Sequence, residues 1–299
     1  MNRLNYEKVF KTLVEETGNY LVNHSLRAMV LGVSGGIDST VVAAICCEVN
    51  KQTNIPLIGR SLPIKNKKDE FDVSKLVGEA FCNNFDVANL YDEYKCFLSG
   101  LVWREERIDL LDDTETMHPE KSKQQTLIAN GNIQARLRMI YLYNLASIHN
   151  GLVMSTDNQT EYQLGFWTIH GDVGDFDPIQ DLWKTEVYQL AEWFKLFYYT
   201  DGDDADKAVA IGESIKLTPT DGLGISNSDL DQIGAKSYND VDRVLQTLVC
   251  PASPENDRVQ DALTVEIGPE IIDKIIKRRR NSRFKREKSP IYISRERYE

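Results

Sequence analysis

The stretch AMVLGVSGGIDSTVVAAI, residues 28–45, decides the fold class of this chain. The apolar run Ala28–Val33 predicts a buried strand, and Thr40–Ile45 predict the first turns of a buried helix. A short turn, Ser34-Gly35-Gly36-Ile37-Asp38-Ser39, joins the two. A turn placed in this way presents backbone N–H groups to an anion at the helix N-terminus. The stretch therefore predicts a strand–turn–helix unit with a phosphate site at the turn.

The residues of this turn suit nucleotide phosphates bound together with a cation. Gly35 and Gly36 have no Cβ, so the backbone can approach a phosphate closely, and Ser34 and Ser39 supply hydroxyl donors. Asp38 places a carboxylate beside the phosphates, and a Mg²⁺ ion between them is the simplest way to balance the like charges. No lysine follows the glycines, so this is not a Walker A loop. A glycine turn that serves only the fold is the alternative.

The turn, in its place between a strand and a helix, resembles the loop of the PP-loop ATP pyrophosphatase superfamily. The resemblance implies cleavage of ATP between its α and β phosphates, adenylylation of an oxygen, and displacement of AMP by a nucleophile.

Composition and charge exclude several classes of protein. The chain has 299 residues and a net charge of −11, whereas general nucleic-acid binding needs a positive surface. No apolar run approaches the roughly 18 residues of a membrane helix, and no secretory signal is evident. The five cysteines form no Cys-x-x-Cys pair and the four histidines have no ligand spacing, which argues against a zinc site. We expect a cytoplasmic protein with reduced thiols.

Strand and helix patterns alternate up to about residue 200, and later residues show helices and loops only. The predicted strands are 28–33, 55–62, 85–90 and 151–155, and the predicted helices are 3–24, 39–48, 69–81, 124–148 and 183–197. Alternation predicts an α/β fold, in which helices cover both faces of a parallel sheet and ligands bind at the carboxyl ends of the strands. We expect one domain, 1–299, with a nucleotide-binding core at about 25–200 and a helical extension at about 201–299.

Three polar segments allow two interpretations each. Residues 109–123 and 216–231 are either solvated loops or lids that exclude water from an intermediate. Residues 277–288 hold eight lysines and arginines in an acidic protein. They form either a solvated helix end, where cations suit the helix dipole, or a clamp for a phosphate.

Two motifs add candidate side chains. In Gly131–Met139, Arg136 and Arg138 point about 200° apart on a helix, so one can face an anion while the other anchors elsewhere. Two ordinary surface arginines are the alternative. In the stretch that follows the fourth strand, Glu161 lies one helical turn after Asp157 and could complete a magnesium shell begun by Asp38. An N-capping Asp157 with a polar first turn is the alternative there.

Taken together and in this order, the motifs resemble those of ammonia-dependent NAD synthetases over nearly the whole chain. The most specific parts are Gly131–Met139 and the series Thr156-Asp157-x3-Glu161, Gly171-Asp172-x-Gly174, Lys184 and Pro219-Thr220. The resemblance implies that Asp38 and Lys184 are catalytic and that Asp38 and Glu161 hold Mg²⁺. It implies ATP contacts by Gly32, Val33, Ser34, Gly35, Gly36, Ile37, Asp38, Ser39, Arg60, Thr156, Lys184 and Thr220. It implies contacts to the dinucleotide substrate by Arg136, Tyr143, Asp175, Phe284 and Lys285.

Four positions depart from the pattern of the family. Ile37 replaces a common glutamine, and we expect this side chain to point away from phosphate. Ile169 stands where many relatives carry a lysine, Phe284 where many carry a histidine, and Asp175 follows Gly174 one residue early. The last three bear on the nicotinate side of the site and leave the ATP side intact.

The resemblance implies ATP-dependent amidation of deamido-NAD to NAD by ammonia, through an adenylate, with release of pyrophosphate and AMP. It also implies a homodimer that binds the dinucleotide near its interface. The first predicted strand begins at about residue 28, so we expect no glutaminase domain and direct use of ammonia. Two alternatives stay open. One is another PP-loop enzyme, such as a GMP synthetase or a tRNA-modifying relative, and the other is a non-catalytic nucleotide-binding module.

Overall fold

The computed structural model describes residues 4–102, 119–200, 204–219, 229–249 and 262–287. The strands are β1 Met29–Gly32, β2 Leu57–Ser61, β3 Asn84–Val87 and β4 Leu152–Val153. The helices of the first half are α1 Tyr6–Asn23, α2 Ile37–Thr53, α3 Lys68–Phe81, α4 Tyr91–Val102 and α5 Pro119–Ile148. Those of the second half are α6 Gln159–Leu164, α7 Lys184–Thr200, α8 Ala205–Lys216, α9 Asp229–Ile233, α10 Tyr238–Val249 and α11 Pro269–Asn281. Residues 262–267 are also helical, and Arg283–Arg286 form a 3₁₀ turn.

The four strands form one parallel sheet in the order β3-β2-β1-β4. The chain moves outward from β1 through β2 to β3, and then returns to place β4 on the other side of β1. The two segments that leave β1 and β4 therefore diverge at the carboxyl edge of the sheet. Such a switch point is where open α/β sheets bind ligands.

Helices cover both faces of the sheet, as its alternating side chains require. Met29 and Leu31 point into a large core with α1, α2, α3, α7 and α8, whereas Val30 and Ile58 point into a second core with α4 and α5. A third apolar cluster joins α6 to α10 and α11 and includes Leu164. The α/β prediction is confirmed, and no strand follows residue 203 in the described ranges.

Two helices differ from the predictions. Helix α4 was not predicted, although its Tyr94 is buried in the second core. Helix α5 begins at Pro119, so the end of the segment 109–123 is helical rather than a loop. Proline is common at the first helical position, because the N–H that it lacks has no partner there. Residues 109–118 lie outside the described ranges, as does most of the segment 216–231.

The four cysteines in the described ranges, Cys46, Cys47, Cys82 and Cys96, carry free thiols. Cys46 is buried in the main core, and burial raises the pKa of the nearby Cys82 thiol to about 12. Within the described ranges, no helix combines the length and the hydropathy needed to cross a membrane.

Candidate active site

The turn between β1 and α2 is shaped by its two glycines. Gly35 has a positive φ of 85°, and a Cβ there would lie 2.7 Å from the backbone N of Ser74 in α3. Gly36 caps α2, and its N–H donates to Ser34 Oγ at 3.2 Å. Gly35 therefore serves the close contact between the turn and α3, a reason that differs from the predicted approach to phosphate.

The hydroxyl groups of the turn bond within the protein. Ser34 Oγ and Ser39 Oγ lie 2.9 Å apart, and Ser39 Oγ donates to Gly36 O at 3.0 Å. From α8, Ser214 Oγ donates to Gly35 O at 2.8 Å. These bonds fix the turn before any phosphate binds, which lowers the entropy cost of binding.

The segment after β4 begins a short helix with a capping box. Asn158 Oδ1 accepts from Glu161 N at 3.1 Å, and Glu161 Oε2 accepts from Asn158 N at 3.2 Å. The predicted N-cap, Asp157, is wrong by one residue: its Oδ2 accepts from Ser155 Oγ at 2.8 Å instead. Glu161 is thus both a capping residue and a candidate metal ligand.

Lys184 joins the two predicted metal ligands. Its Nζ donates to Asp38 Oδ2 at 2.5 Å and to Glu161 Oε1 at 3.0 Å, and its side chain is only 2% exposed. Asn158 Nδ2 donates to the other oxygen of Asp38 at 2.8 Å. Burial disfavours the ammonium, but the two carboxylates raise the pKa of Lys184 well above its ordinary value. The sheet edge therefore holds a triad of one cation and two anions, contributed by α2, α6 and α7.

The two carboxylates of this triad suit a hard cation such as Mg²⁺. In the described part of the chain, no group of three or more His, Cys, Asp or Glu side chains could hold a metal. A cation at Asp38 and Glu161 would complete its shell with phosphate oxygens and water, and it would compete with Lys184 for the carboxylate oxygens.

Three further carboxyl groups lie close behind the triad. Burial raises the pKa of Asp172 to about 6 and that of Asp177 to about 7. Burial and the neighbouring charges of Asp172, Glu161 and Asp177 also raise the pKa of Asp157 well above its ordinary value. This end of the site is strongly acidic, so protons and cations are attracted to it.

A first cavity of about 860 Å³ opens at the switch point. Predicted ATP contacts in its wall are Gly32, Val33, Ser34, Asp38, Ser39, Arg60 and Thr156, and Glu161 also lies there. Ile37 is buried in the main core, in agreement with the expectation that it faces away from phosphate. Gly35, Gly36 and the buried Lys184 stand behind this wall, and Thr220 lies outside the described residues.

A second cavity of about 780 Å³ adjoins the first. Arg136, Tyr143 and Lys285 line it, and Tyr143 Oη donates to Asp175 Oδ1 at 3.0 Å. Phe284 is half-exposed and stands outside both linings, so the structure does not bring it to the other predicted substrate contacts. The cavities share the wall residues Met139, Asp157, Trp167 and Lys285. Ligands in the two cavities can therefore meet at this wall.

Comparisons with known proteins show the family of this chain. The family model for NAD synthase matches residues 9–289. The NH(3)-dependent NAD(+) synthetase of Methanococcoides burtonii is 31% identical over 277 residues, which are 92% of this chain and 90% of that protein. The chain belongs to the NAD synthase family.

Solved structures of other synthetases share the fold of this NAD synthase family member. The NMN synthetase of Francisella tularensis superposes with a TM-score of 0.72 at 22% identity, covering 98% of this chain and all of that one. The NH3-dependent NAD synthetase of Campylobacter jejuni superposes with a TM-score of 0.66 at 22% identity, covering 97% and 100%.

Two side chains at the site of this NAD synthase family member, Arg138 and Asp242, are absent from the implied contacts, although Arg138 is named as a candidate. Arg138 lines the first cavity and donates to Leu62 O at 3.1 Å, whereas Arg136 points to the second and donates to Ile169 O at 3.0 Å. Burial lowers the pKa of Arg138 to about 10. The predicted 200° divergence holds, but spacing alone does not say which arginine faces which cavity.

The other missed side chain is Asp242 of α10, which is 1% exposed. It accepts hydrogen bonds from Thr160 Oγ at 2.5 Å and from Thr185 N at 2.9 Å. Those residues adjoin Glu161 and Lys184, so Asp242 holds two parts of the triad in register. No motif near Asp242 distinguishes it from a surface aspartate, so no sequence signal identifies it.

Proposed function

We propose that the first cavity binds ATP and the second binds the nicotinate end of deamido-NAD. The observation that carries this proposal is the shared wall of Asp157, Trp167 and Lys285, which lets the α-phosphate of one ligand meet the carboxylate of the other. The chain catalyses the reaction of its family, ATP-dependent amidation of deamido-NAD by ammonia, and is a ligase that forms a C–N bond.

The first step makes a reactive acyl group. An oxygen of the nicotinate carboxylate attacks the α-phosphorus of ATP, the bond to the bridging oxygen breaks, and pyrophosphate leaves with the electron pair. The turn at the start of α2 presents its N–H groups to the phosphates, and Lys184 exchanges a carboxylate partner for a phosphate oxygen as charge develops there. Mg²⁺, held by Asp38 and Glu161, supplies further neutralisation of that charge when it is bound.

The second step forms the amide. Ammonia attacks the acyl carbon, the C–O bond to the phosphate breaks, AMP leaves with the electron pair, and the nitrogen releases one proton to water. Arg136, Tyr143 and Lys285 hold the dinucleotide in place. No side chain needs to form a covalent bond with a substrate.

An assay of the purified chain tests this function. We expect pyrophosphate release and NAD formation with deamido-NAD, ATP, Mg²⁺ and ammonium, and none with xanthosine monophosphate. Glutamine in place of ammonium is expected to give negligible product. Nicotinate mononucleotide is a useful further substrate, because a structural relative is named an NMN synthetase. Efficient use of glutamine would contradict direct use of ammonia, and failure with deamido-NAD would contradict the proposed substrate.

The homodimer also stays a prediction, together with the cytoplasmic location and the single-domain organisation. Its support is an exposed apolar face on α5, where Ile140 and Ile148 are 66% and 68% exposed and Tyr143 faces the second cavity. Sedimentation equilibrium is expected to give twice the mass of the chain; a monomer at micromolar concentration would contradict it.

A further inference from the structure

The basic segment near the C-terminus turns several of its cations onto the protein itself within the described residues 277–287. Lys277, Arg280 and Arg283 are exposed, whereas the side chains that alternate with them turn inward onto residues 163–167. Residues 163–167 are the last turn of α6 and the loop that follows it, and we call them the α6 turn. The inward-turned cations are Arg278, Arg279, Lys285 and Arg286.

Arg286 makes the largest set of these contacts. Its Nη1 donates to Gln163 O at 2.7 Å and to Ser282 Oγ at 3.0 Å. Its Nη2 donates to Arg279 O at 2.5 Å. One planar guanidinium thus joins an end carbonyl of α6 to an end carbonyl of α11, a geometry that a lysine cannot reproduce.

The other three cations hold neighbouring atoms of the same turn. Arg279 Nε donates to Gln163 Oε1 at 2.8 Å, and Lys285 Nζ donates to Gly165 O at 2.7 Å and to Trp167 O. The guanidinium of Arg278 stacks on the ring of Phe166 at 3.7 Å from its centroid. Cations placed at the carboxyl end of a helix also interact favourably with its dipole.

The α6 turn needs this support because the helix is short. Helix α6 has six residues, and isolated helices of that length are not stable in water. Gly165 ends it with a φ of 68°, and a Cβ there would lie 2.4 Å from Ser282 Cβ. The α6 turn and the C-terminal segment therefore fit closely, with no room for a side chain between them.

Helix α6 carries one member of the Asp38–Lys184–Glu161 triad and leads to the wall between the two cavities. Its first turn holds Glu161 and its N-cap is Asn158, which contact Lys184 and Asp38. Its last turn leads to Trp167, the wall between the two cavities. A shift of α6 along its axis would move the triad and this wall together.

We propose that Arg286 is a positioning residue for the amidation reaction: through Gln163 O and Arg279 O it fixes the α6 turn, so that the Asp38–Lys184–Glu161 triad and Trp167 keep their register. This rests on the proposed function. It adds a role for a residue that also lines the second cavity.

Kinetics of Arg286→Ala test the proposal. We expect kcat to fall by about tenfold or more, with a much smaller change in the KM for ATP, because the α2 turn that binds its phosphates is untouched. Low-millimolar guanidinium chloride is expected to raise kcat of this variant and not of the wild type, since it can occupy the vacated position. Arg286→Lys, which keeps the charge but not the fork, is expected to remain impaired.

The matched control is Arg283→Ala. Arg283 lies three residues earlier in the same 3₁₀ turn, its side chain is 80% exposed, and its ion pair with Glu287 is long at 3.8 Å. It is expected to keep wild-type kinetics with or without guanidinium. Thermal unfolding of each variant confirms that the assay is made on folded protein.

Two results would overturn the proposal. One is an Arg286→Ala variant that unfolds at a lower temperature but, when folded, has wild-type kcat, which would make the contact structural only. The other is a loss of kcat that guanidinium does not restore in a variant with wild-type unfolding. An inactive wild-type protein would instead contradict the proposed function itself.

Discussion

Lys184 occupies an unusual position for a lysine, since it is buried between two carboxylates and linked to them by short hydrogen bonds. A buried ion pair gains little net stability, because desolvation offsets most of the attraction, but removing one partner leaves the other charge uncompensated. Two anions share one cation here, so the cluster carries an excess negative charge. That excess suits the arrival of a second cation with the phosphates.

The substitution Asp38→Asn tests the role of this carboxylate in the reaction. The amide keeps the shape and a partner for Asn158, but it removes one of the two charges that hold Lys184 and any Mg²⁺. We expect a folded protein whose kcat is lower by about 10²-fold or more. Steady-state kinetics over a range of Mg²⁺ concentrations measure it.

The control for this prediction is Asp206→Asn. Asp206 is exposed in the first turn of α8, next to Lys207, whose Nζ lies over the rings of Phe81 and Tyr198, so we expect the activity of this variant to equal that of the wild type. Near-normal activity of Asp38→Asn with an unchanged Mg²⁺ requirement would contradict the proposed role of Asp38 as a metal ligand.

The turn before α2 packs closely against α3 because Gly35 has no Cβ. Gly35 combines a positive φ with a backbone contact, and backbone atoms cannot move aside as a flexible side chain can. We expect Gly35→Ala to lower the free energy of unfolding by about 2–4 kcal/mol and to weaken ATP binding, because the phosphate-facing turn must shift. Urea unfolding and ATP titration measure the two effects.

Gly100→Ala is the matched control, and we expect it to raise the free energy of unfolding rather than lower it. Gly100 lies in α4, and a Cβ there would meet nothing within 4 Å. Alanine is the better helix former, so we expect a gain of about 0.5–1 kcal/mol. If both alanine variants were equally stable, the contact between the turn and α3 would have no energetic weight.

Sequence patterns predict the elements of this fold well where their signal is local. β1 and α2 follow from apolar runs, and the turn between them follows from its glycines. The predicted helix 124–148 begins five residues too late, because residues 119–123 are polar and proline at position 119 marks the first helical residue. The inward direction of Arg286 and the pairing of Lys184 with Asp38 could not be predicted, because each depends on residues more than a hundred positions away.

For the whole molecule, the buried carboxyl groups predict how stability depends on pH. The pKa values of Asp172 and Asp177 rise from an ordinary 3.8 to about 6 and about 7 in the folded chain. At pH values between 3.8 and these raised pKa values, the two carboxyl groups keep protons in the folded chain that they release in the unfolded chain. Their contribution to stability is therefore complete below the ordinary value and is lost as the pH rises through 6 and 7.

We expect Asp177→Asn to remove much of this dependence. The Asp177 carboxyl group contributes about 2 kcal/mol to the change in the free energy of unfolding between about pH 5 and about pH 8. Urea unfolding of the ligand-free chain at both pH values measures this change. Asp181→Asn, at an exposed position four residues later, is the control and is expected to keep the wild-type slope. A slope that survives in Asp177→Asn would assign the pH dependence to other groups.

The docking of the basic segment onto the α6 turn has a consequence for the order in which the protein is made. A ribosome that has translated as far as α11 has already produced the four strands of the described sheet, the glycine turn, Glu161 and Lys184, and domains fold from the N-terminus as they emerge. Lys285 and Arg286, which secure the α6 turn, are added later. A stop codon after Arg283 would leave the sheet and its strand-edge motifs complete and still remove both side chains. If Arg286 positions the α6 turn as proposed, the active site reaches its working geometry only after translation has passed residue 286.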